Sequence, residues 1–248
     1  MKFKKRNGLY VPKHYMGCMG IEDTFPPPRS NVSAVRKGVM SPSGGGGTTG
    51  GSAGSPPAGG YEIDDNFSSD TSGNYTKIID EGGVASLEIA GGVCTASVVT
   101  ASRWFHETAL SSPNHYVQAT VDVGVEGDPD YGDLISLIVR SDGTSGATAD
   151  YYYMERDGST FDLYRVNNAS GTYLTSSSSG MTTGTYTMRM EANGTGATVN
   201  IKVIWNSATV IDYNDEAAGR LTSGSYVGMR LKCNSVQQHM DNFIADNI

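Results

Sequence analysis

The sequence has no long apolar run and few cysteines, and these absences narrow what the chain can be. No stretch approaches the ~20 consecutive apolar residues that a membrane-spanning helix needs. The basic start MKFKKR is followed by NGLYVPKHY, which contains no apolar run, so we expect no secretory signal peptide. Three scattered cysteines argue against a disulfide framework and a zinc site. We expect buried thiols, with one Cys94–Cys233 disulfide as the alternative.

Charge and helical periodicity are also scarce. Only 18% of the residues are charged, whereas glycine occurs 32 times in 248 residues, among recurrent threonine, serine, tyrosine and valine. No segment keeps apolar residues at the spacing of an amphipathic helix. This composition favours an all-β fold with many turns.

The few charges are unevenly distributed along the chain. Residues 1–37 carry eight Lys/Arg against two acidic residues, whereas the remaining residues carry 10 basic and 24 acidic side chains. Residues 1–40 form a basic arm without a sustained period, and residues 41–60 form a Gly/Ser/Pro-rich linker. The arm is interpreted as an anchoring peptide, with a plain disordered tail as the alternative. Its candidate anchoring residues are Lys4, Lys5, Arg6, Tyr10 and Tyr15.

The clearest strand pattern lies in residues 184–212. Two runs alternate apolar and polar residues, 185–191 and 198–206, and the loop Asn193-Gly194-Thr195-Gly196 separates them. Alternation places one face of each strand in the core, and Asn-Gly supplies the positive φ angles that a hairpin needs. The next run begins directly after Asn206-Ser207-Ala208, which predicts a third antiparallel strand.

Short strand-like runs with turn signals between them continue from residue 61 to residue 248. We therefore predict one two-sheet antiparallel sandwich. At this point the order of the motifs resembles the concanavalin A-like lectin/glucanase superfamily, in its laminin-G-like and carbohydrate-binding branches. The matching motifs are IDDNF at 63–67, YVQATV at 116–121, YYYME at 151–155, FDLYRV at 161–166, TYTMRME at 185–191, GMRL at 228–231 and MDNFIA at 240–245. The resemblance implies a jelly roll over residues 61–248, closed by pairing of residues 240–245 with 63–67.

The resemblance raises the question of glycoside hydrolysis. Hydrolases of this superfamily carry Glu-x-Asp-x-x-Glu on one strand, which aims the carboxylates into a cleft. Here Glu62 and Asp64 begin that motif, but Phe67 stands where the second glutamate should be. A retaining glycosidase needs two carboxylates roughly 5 Å apart. The sequence therefore predicts a non-enzyme.

The resemblance also implies a structural calcium site, because related carbohydrate-binding members hold Ca²⁺ between the first and last strands. Asp64, Asp65 and Asp241 are the candidate ligands, since carboxylate oxygens suit this hard cation. The loop Asp128-Pro129-Asp130-Tyr131-Gly132-Asp133 is a second acidic cluster, for which a solvated turn is the alternative.

Glycan binding needs exposed aromatic rings, because the C–H faces of sugars stack on π surfaces. Alternation places Tyr151 and Tyr153 on one face of their strand. The candidate set is Trp104, Tyr131, Tyr151, Tyr153 and Arg156, with His106 and Tyr164 as further candidates and core packing as the alternative for each ring.

Three functions follow as hypotheses. The arm, linker and head look like a phage virion appendage or capsid-decoration protein, whose arm docks on capsid or other virion proteins and whose lectin-like head binds host glycans. Such a protein would assemble in the host cytoplasm, with homo-oligomerisation left open. A free carbohydrate-binding module and a divergent glycoside hydrolase are the alternatives. No nucleic-acid partner is expected, because the acidic head repels phosphates.

Overall fold

The computed structural model describes residues 60–79, 86–96, 102–123, 135–143, 148–157, 160–178, 183–231 and 239–248. The arm and almost all of the linker lie outside these residues, as do Cys18, Tyr131 and Cys233. The described residues form fifteen strands and one 3-10 turn at Ser72–Asn74. The strands are β1 (Ile63–Asp65), β2 (Tyr75–Ile79), β3 (Leu87–Ala90), β4 (Val93–Ala96), β5 (Ser102–His106), β6 (His115–Val123), β7 (Ile135–Ser141), β8 (Tyr151–Asp157), β9 (Thr160–Asn167), β10 (Ser170–Ser178), β11 (Gly184–Asn193), β12 (Val199–Trp205), β13 (Ala208–Asp215), β14 (Tyr226–Leu231) and β15 (His239–Asn247).

Two antiparallel sheets face each other. The eight-stranded sheet has the order β13-β12-β11-β6-β15, and the far edge of β15 is shared by β1 and by β4, which continues to β3. The seven-stranded sheet has the order β10-β9-β8-β7-β14-β5-β2. Strands distant in the sequence are neighbours in both sheets, as in a jelly roll. The prediction of an all-β, two-sheet antiparallel sandwich is confirmed.

The predicted hairpin and its third strand are also confirmed. β11 pairs with β12 from Met188 opposite Trp205 to Asn193 opposite Asn200, and β12 then pairs with β13. Alternate residues of β12 are buried along the whole strand, which is the pattern that the sequence predicts. Gly194, at φ +95°, makes the reversal, and a side chain there would meet the Thr198 carbonyl oxygen at 2.6 Å.

The first and last described strands close the eight-stranded sheet. Ile63 lies opposite Ala245, and Asp65 lies opposite Phe243, so the pairing implied by the resemblance is confirmed. Phe67 follows β1 at φ +52° and is buried at 1% exposure. Its strained backbone is held by Asp65, whose Oδ1 accepts a hydrogen bond from the Phe67 N–H at 2.9 Å.

One continuous core fills the space between the sheets. Inward residues of the seven-stranded sheet, such as Trp104, Tyr152 and Met154, pack with inward residues of the other sheet, such as Met190 and Val203. Burying one large apolar side chain contributes about 1.5–3 kcal/mol. Cys94 is buried in this core, as expected, with Sγ 3.9 Å from Sδ of Met229, and the Cys94–Cys233 disulfide stays an alternative because Cys233 lies outside the described residues.

A buried histidine joins the two sheets at one end of the sandwich. His115 Nδ1 donates to the Ser112 carbonyl oxygen at 2.9 Å, and Nε2 accepts from the Arg140 N–H at 3.0 Å. This pairing requires the neutral ring, because an imidazolium has no acceptor. Burial lowers the pKa of His115 to about 4, against the opposing effect of the hydrogen bond to Ser112, and the charge of Arg140 lowers it further while that of Glu62 raises it.

We therefore expect acid to destabilise the sandwich through His115. Between pH 6.5 and about 4, the unfolded chain binds a proton at this histidine and the folded chain does not, so stability falls as pH falls. The expected slope is about 1.4 kcal/mol per pH unit from this group. For His115→Gln, the free energy of unfolding, measured with urea across this pH range, should depend less on pH, by an amount that corresponds to one proton. An unchanged slope would contradict the assignment.

Among the described residues, no helix has the length and apolar character that a membrane crossing requires.

Candidate functional site

Three tyrosines form a row across the outer face of the seven-stranded sheet. Tyr153 of β8 lies opposite Tyr164 of β9, which lies opposite Tyr173 of β10. The first two rings stack with centroids 4.9 Å apart and an interplanar angle of 10°, and Tyr164 meets Tyr173 edge to face at 5.6 Å. Tyr173, at the sheet edge, is 54% exposed. We call these three residues the tyrosine row.

The turn between β9 and β10 sets this register. Asn168 and Ala169 both have positive φ angles, 47° and 63°, as the two central residues of a type I′ hairpin turn do. Asn168 tolerates this conformation well, and its N–H donates to Asp150 Oδ1 at 2.6 Å. A two-residue turn at this position brings Tyr164 directly opposite Tyr173.

A row of charged residues runs beside the tyrosine row on the same face. Arg103 of β5 lies directly opposite Arg230 of β14, and on its other side Arg230 lies opposite Ser136 of β7. The row continues across the sheet with Glu155 of β8 and Asp162 of β9. Arg230 Nη1 reaches across Ser136 to Glu155 Oε2 at 2.5 Å. Cations therefore occupy one side of the face and carboxylates the other.

The two rows meet at a recess of about 180 Å³. Each arginine lies near a tyrosine ring, Arg103 at 5.2 Å from the centroid of Tyr151 and Arg230 at 5.9 Å from that of Tyr153. Cation–π attraction holds both guanidinium groups at the surface of the sheet. The recess is lined by Arg103, Tyr151, Tyr153, Val166, Ala169, Gly171 and Arg230.

Burial controls the protonation of the groups around the recess. It raises the pKa of Tyr153 to about 12, with the charge of Glu155 acting in the same direction, so this hydroxyl stays neutral at physiological pH. Burial, and next the charge of Arg230, lowers the pKa of Arg103 to about 10, which still leaves the guanidinium charged. The recess thus offers aromatic rings, a neutral hydroxyl and two cations.

The three predicted calcium ligands do not converge. Asp64 and Asp65 are adjacent on β1 and point to opposite faces, one exposed and one buried. Asp65 Oδ2 accepts hydrogen bonds from Thr71 Oγ1 at 2.6 Å and the Tyr75 hydroxyl at 3.0 Å, so this carboxylate is committed to the turn after β1. Asp241 accepts from its neighbour Asn242. Within the described residues, no three His, Cys, Asp or Glu side chains cluster as a metal site would require.

The five predicted glycan-binding residues divide into three groups. Tyr151 and Tyr153 share one face of β8, as their alternation predicted, and both line the recess, although Tyr151 is only 2% exposed. Trp104 and Arg156 do not belong to the site, because both point into the core, at 2% and 0% exposure. Arg156 lies 6.0 Å from the ring of Trp205, between the sheets. Tyr131 lies outside the described residues.

Glu62, the start of the partial hydrolase motif, is arranged as an acceptor and not as an acid. Its carboxylate accepts from the Ser111 N–H at 2.7 Å, the Ser111 hydroxyl at 2.6 Å and the Asn247 amide. The Ser111 hydroxyl is the main reason that the pKa of Glu62 lies below its ordinary value. A general acid in glycoside hydrolysis needs a raised pKa.

Tyr164 was among the sequence candidates, whereas four residues of the site were not: Arg103, Glu155, Tyr173 and Arg230. Alternation alone places Glu155 on the face of Tyr151 and Tyr153. The arginines carry no such signal, because β5 and β14 are neighbours only through the order of strands in the sheet.

No protein-family model matches the chain, and no curated protein matches it. Several solved structures share its fold. A protein of unknown function with a galectin-like fold from Bacillus subtilis aligns with 75% of this chain and 96% of its own length, at a TM-score of 0.55 and 10% identity. The carbohydrate recognition domain of Emp47p covers 80% of this chain and 100% of its own, at a TM-score of 0.50 and 16% identity. The carbohydrate recognition domain of Emp46p, in a potassium-bound form, covers 71% of this chain and 90% of its own, at a TM-score of 0.50 and 10% identity. At these identities the likeness establishes a lectin-like sandwich fold.

Proposed function

We propose that this protein is a non-enzymatic carbohydrate-binding protein and that it binds glycan at the recess beside the tyrosine row. The observation that supports this function best is the row of contacting tyrosine rings, Tyr153, Tyr164 and Tyr173, on an outer sheet face. Such rings match the C–H faces of sugars, and adjacent guanidinium groups and the Tyr153 hydroxyl hydrogen-bond sugar oxygens. The recess holds about one sugar unit, and the row extends from it to the sheet edge.

Comparison with solved structures agrees with this proposal. Carbohydrate recognition domains are among the proteins that share this fold. A fold hosts many functions, so the residues of the recess carry the argument and the fold adds to it.

Replacing Tyr153 with alanine should weaken glycan binding about 10- to 100-fold, because truncating a central aromatic residue of a binding site removes the largest share of its contact energy. The measurement is binding of the full chain to an array of bacterial, algal and plant polysaccharides, followed by titration of each positive. Tyr213→Ala, which removes a ring from the eight-stranded sheet, is the matched control and should bind as the unaltered protein does. Binding that survives Tyr153→Ala would place the site elsewhere, and an array without positives would contradict carbohydrate binding.

A second proposal concerns the setting of this head. The basic arm, the Gly/Ser/Pro-rich linker and the acidic head favour a virion structural protein, a capsid decoration or appendage, in which residues 1–40 dock on an acidic particle surface. A Gly/Ser/Pro-rich composition is typical of a spacer between an anchoring segment and a separate domain, which suits this proposal. Assembly in the host cytoplasm and contact with cell-surface glycans belong to this proposal.

Deleting residues 1–40 should abolish particle association while leaving the melting temperature of the head within a few degrees. The check is co-sedimentation of the truncated and full chains with particles from the same lysate. A variant in which glutamine replaces Lys4, Lys5 and Arg6 together should lose most of its association with the particle if charge drives docking. Co-sedimentation of the truncated chain would contradict the anchoring role.

A further inference from the structure

Two arginines lie directly opposite each other on neighbouring strands at the recess. Arg103 and Arg230 form a cross-strand pair of β5 and β14, and like charges in this position destabilise a sheet. The cost is raised by burial, since neither guanidinium is fully exposed: the side chain of Arg230 is 12% exposed. Apolar or oppositely charged residues would pack at these two positions at lower cost. The arginine pair is therefore better explained by a binding function than by the stability of the sheet.

Among the described residues, the lining of the recess contains both arginines and no carboxylate. Glu155, the carboxylate that contacts Arg230, approaches from the far side of Ser136 and does not line the recess. This is unusual in a chain whose net charge is −8, and whose residues after position 37 carry far more acidic than basic side chains. The described lining of the recess therefore carries positively charged groups, whereas the protein as a whole carries net negative charge.

We propose that the recess binds an anionic sugar unit, with the anionic group seated between the guanidinium groups of Arg103 and Arg230 and the sugar ring against Tyr153. The planar fork of arginine matches the oxygens of a carboxylate or a sulfate ester. An anion there turns the repulsion between the two arginines into attraction to a shared partner. This inference rests on the proposed carbohydrate binding and specifies its ligand class.

The probes are two pairs of polymers that differ only in charge. Polygalacturonate is compared with its fully methyl-esterified form, and dextran sulfate with dextran, by calorimetric titration of the full chain at two salt concentrations. We expect at least tenfold tighter binding to the charged member of one pair, and the pair that shows it identifies carboxylate or sulfate. Equal binding of both members of each pair would overturn the anionic inference while leaving carbohydrate binding intact. No binding to any polymer, on these probes and on the array, would overturn the proposed function as well.

Two substitutions with opposite expected effects test the site itself. Arg103→Gln should weaken binding of the charged polymer about tenfold and reduce its salt dependence. Glu155→Gln should tighten binding several-fold, because Arg230 is then released from its carboxylate partner at 2.5 Å. Lys202→Gln removes one positive charge from the eight-stranded sheet and, with the basic arm still present, controls for non-specific attraction to polyanions. Loss of affinity in Glu155→Gln, or an equal loss in Arg103→Gln and Lys202→Gln, would contradict the proposal.

Discussion

Replacing Asp215 with alanine is expected to lower the free energy of unfolding by about 3–5 kcal/mol. Asp215 is fully buried at the end of β13, and its Oδ2 accepts from Arg165 Nη1 at 2.6 Å and from the Tyr152 hydroxyl at 2.7 Å. The alanine variant keeps the guanidinium of Arg165 buried and removes its counter-charge. An uncompensated buried charge is among the most destabilising single changes.

The same carboxylate joins the two sheets, which adds to the expected loss. Tyr152 belongs to β8 and Arg165 to β9, in the seven-stranded sheet, whereas β13 is the edge of the eight-stranded sheet. The Tyr152 hydroxyl also accepts from the Leu221 N–H at 2.9 Å, so the network extends into the segment after β13. Burial, followed by the hydrogen bond to Asp215, holds the pKa of Tyr152 above its ordinary value and keeps this hydroxyl a donor.

Asp212 provides the matched control for Asp215, three residues earlier on the same strand. Its carboxylate is 55% exposed and lies 4.0 Å from Lys202 Nζ, so Asp212→Ala should change the free energy of unfolding by less than about 1 kcal/mol. Urea unfolding at neutral pH, followed by tryptophan fluorescence, measures both variants. Similar losses in the two variants would show that the buried network does not stabilise the sandwich as argued.

The parts of the fold that the sequence predicts well are those with local signals. The β11–β12 hairpin has strict alternation and an Asn-Gly turn, and both signals act within about 25 residues. The closing pair β1 and β15 is far apart in the sequence and was implied by resemblance, through the matching Asp-Asn-Phe ends at 65–67 and 241–243.

The site is less predictable because alternation does not say which face of a strand is inner. It groups Tyr151 with Tyr153 and sets Tyr152 apart, but only the packing of the sheets shows that Tyr152 is the core residue. The same ambiguity made Trp104 a surface candidate, although it lies at 2% exposure between the sheets. Its neighbour Arg103 has the outward position.

The tyrosine row depends on strand pairings that are only partly signalled in the sequence. The pairing of β8 with β9 places Tyr153 opposite Tyr164, and a two-residue turn at Asn168 and Ala169 places Tyr164 opposite Tyr173. Glycine usually supplies the positive φ angles of such a turn, whereas here Asn168 and Ala169 adopt them, and this weaker signal is why Tyr173 is not among the predicted residues.

The second large effect is expected at Gly228, which belongs to β14 and packs against β5, the two strands that carry the arginines. A methyl group there would approach the Trp104 carbonyl oxygen to 2.3 Å and the Phe105 Cα to 3.1 Å, so β5 and β14 would have to separate. Gly228→Ala should therefore lower the free energy of unfolding by about 3 kcal/mol, at the upper end of the usual cost of overpacking, because backbone atoms cannot move aside as a side chain can.

Gly171→Ala is the control, because it shows the general effect of replacing a strand glycine with alanine where no overpacking occurs. In the described part of the chain no atom lies within 4 Å of a Cβ placed at Gly171, and alanine there should change stability by less than about 1 kcal/mol.

Separation of β5 from β14 also moves Arg103 away from Arg230, so Gly228→Ala should lose affinity for the charged polymer under conditions in which it is still folded. A Gly228→Ala variant with unaltered stability would show that the close contact of these two strands relaxes without cost. Lowered stability with unaltered affinity would show that anion binding does not depend on the spacing of the two arginines.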